Sequence, residues 1–203
     1  MKRGSSPMRQ PTKSYDSTAK WLHWITALAI ILLLAGGPFF HFLPETEKAT
    51  RAASGHAGLG TLVLILMSVR LYRRSRHPVV ALTMPRWQTR LSLMAHRLLY
   101  TCVLLQPVLG VLMAMTSPYD IVAFGHFNYS AVMAPNEIWH PVFHLCHRIN
   151  GILLALAVLL HLAAVIYHQF VLRDSLLNRM LPKRRAAQKQ SPQENTQAAM
   201  GNF

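Results

Sequence analysis

The sequence predicts an all-α integral membrane protein, a four-helix bundle with both termini cytoplasmic. Three observations predict it. Four long stretches contain no Asp, Glu, Lys or Arg. Only 14% of the 203 residues are charged and 52% are hydrophobic, whereas a soluble domain carries about 25% charged residues. Basic residues also crowd the N-terminal segment, the second link and the C-terminal tail, but not the first and third links.

The first stretch runs from Trp21 to Leu43, the second from Ala52 to Val69, the third from Leu98 to Tyr119 and the fourth from Ile149 to Leu172. Each is long enough to cross about 30 Å of hydrocarbon at a rise of about 1.5 Å per residue. Backbone groups in lipid must satisfy one another, so these blocks become helices; membrane strands would alternate polar with apolar, which these do not. The first block differs from a cleaved signal: it is long, it holds His23 between Trp21 and Trp24, and a 20-residue segment precedes it. In the third block Pro107 is the expected kink. Residues 1–20 read as a cytoplasmic segment. Residues 21–175 form the transmembrane domain, and 176–203 a basic tail that turns disordered from Ala186 onward.

Orientation follows from the charges. Lys2, Arg3, Arg9, Lys13 and Lys20 precede the first helix. Arg70, Arg73, Arg74, Arg76, Arg86 and Arg90 fill the second link, and Arg173 to Lys189 the tail. The first link has only Lys48 and Arg51 beside Glu45 and Glu47, and the third has no basic residue. The net charge of +14 therefore reads as membrane topology, and nucleic acid is excluded as a partner because no binding motif accompanies the charge. Cys102 and Cys146 form no C-x-x-C motif, which leaves a disulfide framework and covalently attached haem unsupported. Both cysteines read as small buried side chains.

Eleven histidines carry the chemistry, since imidazole in a bilayer is costly and needs a reason. His23 and His96 lie near the cytoplasmic ends of helices one and three. His56 lies near the outer end of helix two. Helix four carries His147 near its outer end and His161 deeper. The last two are 14 residues apart, nearly four whole turns, so they share a face about 21 Å apart along the axis. Each leaflet thus holds one histidine on an early helix and one on helix four, the minimum for two bis-histidine haems. His168 shares the face of His161 but would stretch the separation from His147 to about 31 Å. His140 and His144 compete with His147 if the last helix starts early, which Pro141 disfavours, and could instead hold surface zinc or copper. His41, His77 and His126 read as solvated. Gly55, Gly58, Gly60 and Gly151 suit either approach of a flat macrocycle or ordinary small-residue helix packing.

Trp-Leu-His-Trp at 21–24, Gly-His-Ala-Gly at 55–58 with Met-Ser-Val-Arg-Leu at 67–71, Ala-His-Arg-Leu-Leu-Tyr at 95–100, Gln-Pro-Val-Leu-Gly at 106–110 and Arg-Asp-Ser-Leu-Leu-Asn-Arg-Met-Leu-Pro at 173–182 together resemble the prokaryotic cytochrome b561 family. This is the diheme type related to superoxide:ubiquinone oxidoreductase, and the resemblance covers roughly residues 17 to 185. It implies a bacterial inner-membrane cytochrome with two b-type haems. His23 and His161 would hold the cytoplasmic-side haem, His56 and His147 the outer one. It further implies electron transfer between a periplasmic-side donor, superoxide among them, and the ubiquinone pool. The alternatives are a cytochrome b anchor subunit of a hydrogenase or dehydrogenase, a histidine-lined metal-ion transporter, and a purely structural membrane anchor.

Overall fold

A computed structural model of the chain describes residues 15–42, 47–77, 85–173 and 176–181. The N-terminal basic residues up to Lys13, the side chain of His41 and the tail from Ala186 lie outside the described residues. Four long helices dominate: α1 Ser17–Gly36, α2 Glu47–Arg76, α3 Arg86–Met115 and α4 Trp139–Tyr167. All four are long and apolar enough to cross a membrane. α1 packs on α2, α2 on α3 and α3 on α4, so the chain follows its own order around the bundle.

At their charged ends the helices overrun the charge-free stretches. α2 continues through Arg70, Arg73, Arg74 and Arg76, and α3 already begins at Arg86. Absence of charge marks the depth that lipid forbids to ions, whereas the helix itself continues into the interface. α4 also starts earlier than Pro141 suggested. Its first residue is Trp139, and proline is tolerated in a first turn because those N–H groups have no partner within the helix. The Asn136 side-chain oxygen accepts from the Ile138 and Trp139 amides and caps this entry instead.

Large apolar side chains face outward, among them Leu28, Ile31, Leu156, Leu159 and Leu160. The interior is built from smaller ones: Ala29, Val63, Cys102, Val103, with Met67 and Leu154. That inversion suits a lipid surround, where close backbone approach drives helix association. Cys102 is buried as expected, but Cys146 is exposed.

The two ends of the bundle differ. At one, which we call the basic end, the Arg73 guanidinium pairs with Asp16, the residue that caps α1 by accepting from the Ala19 amide. Arg70 and Arg74 stack over the Tyr100 ring. The chain leaves α4 through a π-helical turn, His168–Leu172, and bends at Arg173, which adopts a left-handed backbone. It then returns to α1: Lys20 Nζ donates to the Leu181 carbonyl and Trp24 Nε1 to the Met180 carbonyl. This docking gives the Leu-Asn-Arg-Met-Leu run its structural role.

The other end is closed by a short antiparallel hairpin, β1 Val122–Ala123 and β2 Phe127–Asn128. The Val122 amide donates to the Ser54 hydroxyl, Tyr129 and Thr61 share a hydroxyl–hydroxyl bond, and Phe124 lies over Gly58. The hairpin therefore sits on the first half of α2, above His56.

Candidate functional site

His56 on α2 and His147 on α4 meet across the hairpin half of the bundle. Their ring centres are 6.3 Å apart and their planes 71° to each other. Both line an internal cavity whose remaining walls are apolar except for Gln106. Ile30, Leu33 and Leu34 come from α1, Gly60 and Val63 from α2, Val103 and Val111 from α3. Two imidazoles facing one otherwise greasy space is an expensive arrangement in a membrane, which makes this cavity the candidate ligand site.

His147 is held with unusual care. Its Nδ1 lies 3.1 Å from the Gln106 carbonyl oxygen, which only accepts, so Nδ1 carries the proton and Nε2 is the acceptor. The Gln106 amide nitrogen lies 3.1 Å from His147 Nε2 and 3.1 Å from the His147 carbonyl oxygen, and donates to both. The Gln106 amide oxygen in turn accepts from Asn150 Nδ2 at 2.6 Å, and Asn150 also donates to the Cys102 carbonyl at 3.0 Å. Asn150 is buried. Neither Gln106 nor Asn150 was among the sequence-predicted site residues, although each is an amide inside a charge-free apolar block, which was signal enough. Gly151 proves to serve helix packing: a Cβ there would stand 3.1 Å from the Gln106 amide nitrogen.

At the basic end three histidines gather. His161 lies against His96, with ring centres 5.8 Å apart and planes at 79°. His96 Nδ1 donates to the Ser92 carbonyl one turn back, at 2.6 Å. His23 is close enough to feel His161, His96 and Arg70, and its Nδ1 is buried without a hydrogen-bond partner among the described residues. The sequence places His96 near the cytoplasmic end of helix three without a ligand role, and the structure sets it beside His161.

The remaining histidines lie elsewhere. His168 begins the π-helical turn beyond α4, its ring against Tyr167. His140 Nδ1 donates to the Met113 carbonyl, tying α4 to the end of α3. His126 Nδ1 donates to the Phe124 carbonyl within the hairpin. His77 and His126 are exposed. Among the described residues no three His, Cys, Asp or Glu side chains gather as a metal-ion site requires, so His140, His144 and His147 do not assemble one at the surface. The donors instead occur as pairs of imidazoles on different helices, where bundle cores build cofactor sites.

Comparison with known proteins agrees. The family model described as prokaryotic cytochrome b561 matches residues 14–183. The chain is similar to cytochrome b561 homolog 1 of Escherichia coli (strain K12), with 26% identity over 84% of this chain and 98% of that protein. It is also similar to the probable superoxide oxidase CybB of Yersinia pestis, with 23% identity over 85% of this chain and 98% of that protein. The matched segment takes in all four helices and every histidine of both groups, and the chain belongs to the prokaryotic cytochrome b561 family: multi-pass membrane electron-transfer proteins, for which haem b is the implied cofactor.

Proposed function

We propose that the protein is a diheme cytochrome of a bacterial inner membrane that passes electrons between a periplasmic-side donor and the ubiquinone pool, with both chain termini cytoplasmic. His56 and His147 would hold one haem b at the hairpin end, His23 and His161 the other at the basic end. The observation that carries this reading is the His56–His147 pair. An imidazole nitrogen binds a first-row metal at about 2 Å, so two rings on opposite sides of one iron have centres about 6 Å apart. The measured 6.3 Å fits, and the apolar walls suit a porphyrin. A haem held by both imidazoles would supply one-electron transfer rather than oxygen binding. His147 and His161 share a face of α4 about 21 Å apart along its axis, so the two sites lie in opposite halves of the membrane. The orphaned His23 Nδ1 favours a ligand role for that ring at the basic end.

One specific observation favours a second assignment there: the His96 ring lies against that of His161, with centres 5.8 Å apart. Superoxide is a fitting donor because a relative is named a probable superoxide oxidase and because Arg51 and Arg148 are exposed towards the hairpin end. A reduced-minus-oxidised visible spectrum with haem content per chain tests the proposal. Two low-spin b-type haems, and ubiquinone reduction driven by superoxide in proteoliposomes, are expected. Protein made with ample haem that carries none overturns it. Two haems without that turnover would leave the ligand assignment standing and remove superoxide as donor.

A further inference from the structure

The Gln106–Asn150 pair sits beside the proposed ligand His147 and is costly where it lies. Amides in hydrocarbon must find partners, and an apolar pair would close the α3–α4 contact without that demand. The chain has shaped both helices around the amides instead. Gly110 on α3 leaves room for the His147 ring, and Gly151 on α4 leaves room for the Gln106 side chain. Asn150 donates to the Gln106 oxygen, which fixes the amide flip and turns the Gln106 N–H groups towards His147. The Gln106 backbone carbonyl fixes the His147 tautomer. Partners of this kind orient ligand imidazoles and set their basicity.

We infer that Gln106, locked by Asn150, is a positioning residue for His147. It holds the ring with Nδ1 protonated and sets its amide at Nε2, the nitrogen that would be offered to a metal. With Nε2 so used, the bond from the amide to the His147 carbonyl and that from Nδ1 to the Gln106 carbonyl would still fix the ring. The inference rests on reading His147 as a haem ligand.

The test uses the full-length protein in detergent, with Gln106→Met and Asn150→Ser. Haem retention against apomyoglobin, the midpoint potentials and the low-spin EPR signals are read for both haems. We expect retention of one haem to weaken by about 10- to 100-fold in Gln106→Met, with a shifted potential and EPR signal for that haem and unchanged values for the other. Asn150→Ser, which keeps Gln106 but loosens it, is expected to move the same signals less. Unchanged retention, potential and EPR signal in Gln106→Met overturn the inference. If that variant does not accumulate, unchanged signals in Asn150→Ser overturn it. His147→Ala separates the two levels: if it keeps both haems, the ligand reading fails with the inference. If it loses one haem while the Gln106 and Asn150 variants do not alter that haem, only the inference fails.

Discussion

The His147 imidazole rests on Gly110: a Cβ at that glycine would stand 3.2 Å from His147 Cε1 and 3.4 Å from Nδ1. The ring rests on α3 at that helix's one glycine, one turn beyond Gln106, which is how the Gln106 carbonyl comes within reach of it. In Gly110→Ala the ring must retreat by a few tenths of an ångström. The helix gains about 1 kcal/mol in propensity, while overpacking costs about 1–3 kcal/mol. We expect a net loss of about 1 kcal/mol in thermal stability and a perturbed low-spin EPR signal for one haem. A melting curve in detergent and the EPR spectrum check this; a stabilised variant with an unaltered spectrum would contradict the contact.

Gly60 offers the opposite test. It lines the cavity between His56 and His147, and a Cβ there would meet nothing within 4 Å. In the apoprotein Gly60→Ala should be stabilising by about 1 kcal/mol, the helix-propensity difference alone. If a porphyrin fills the cavity, the added methyl group competes with it, and haem content at that site should fall. The two measurements have opposite signs, so an apoprotein stabilised with no loss of haem would show that the macrocycle does not approach this face.

The two candidates at the basic end are separated by single variants. His23→Ala should abolish one low-spin haem signal if His23 is the axial partner of His161. His96→Ala should then leave two low-spin haems. The 5.8 Å His96–His161 spacing permits the reverse, in which His96→Ala removes the signal and His23→Ala spares it. Haem content and EPR spectra of the two variants decide between them.

Most of the fold was legible in the sequence because lipid imposes one rule on every residue. Four charge-free blocks had to be helices, and α1 to α4 are those helices. Their ends were less legible: Arg70, Arg73, Arg74 and Arg76 look like a link but continue α2, since an interface tolerates charge that the hydrocarbon does not. Pro141 looked like a barrier and is a first-turn residue. In the site, spacing could place His147 and His161 on one face because they share a helix. It could not say which ring on another helix meets each of them, because rotation of α1 and α3 about their axes is set by packing. The structure brings His56 and His147 to ring centres 6.3 Å apart and sets His96 against His161. The Gln106–Asn150 pair was visible as two amides in apolar blocks, but its meaning needed the distance between α3 and α4.

Asp16 gives the basic end a mild acid sensitivity. Burial pushes its carboxyl up from an ordinary 3.8, but the Ala19 amide, the Arg73 guanidinium and the charge of His77 outweigh that and hold it lower. A lowered folded-state value stabilises the fold above the unfolded value and is lost as pH falls through the lowered one. The contribution should therefore be complete near neutral pH and fade below about pH 4. Its size is that of an exposed pair, about 0.2–1 kcal/mol. Asp16→Asn keeps a good helix cap and should lose only the pair and its pH dependence. Asp16→Ala should lose the cap as well, about 1 kcal/mol more. Thermal melts at pH 7 and pH 3.5 distinguish the two variants.

Arg51 and Arg148 bear on the donor. Both are exposed, but Arg51 pairs with Glu47 in the same helix, so part of its field is cancelled one turn away. Arg148 adjoins His147 in sequence. If the donor is a small anion such as superoxide, its approach is steered by these charges and should slow at high salt, where the screening length shrinks. Arg148→Gln should then lower the rate of superoxide-driven ubiquinone reduction by up to about tenfold at low ionic strength and flatten its salt dependence. Arg51→Gln should lower it as well, because it leaves the negative charge of Glu47 unpaired. Glu47→Gln should raise the rate, since it uncovers Arg51 without removing it. Stopped-flow rates across a range of salt concentrations, with haem content checked for each variant, measure all three. A rate that ignores Arg148 and Glu47 alike would mean that the donor is neutral or enters elsewhere.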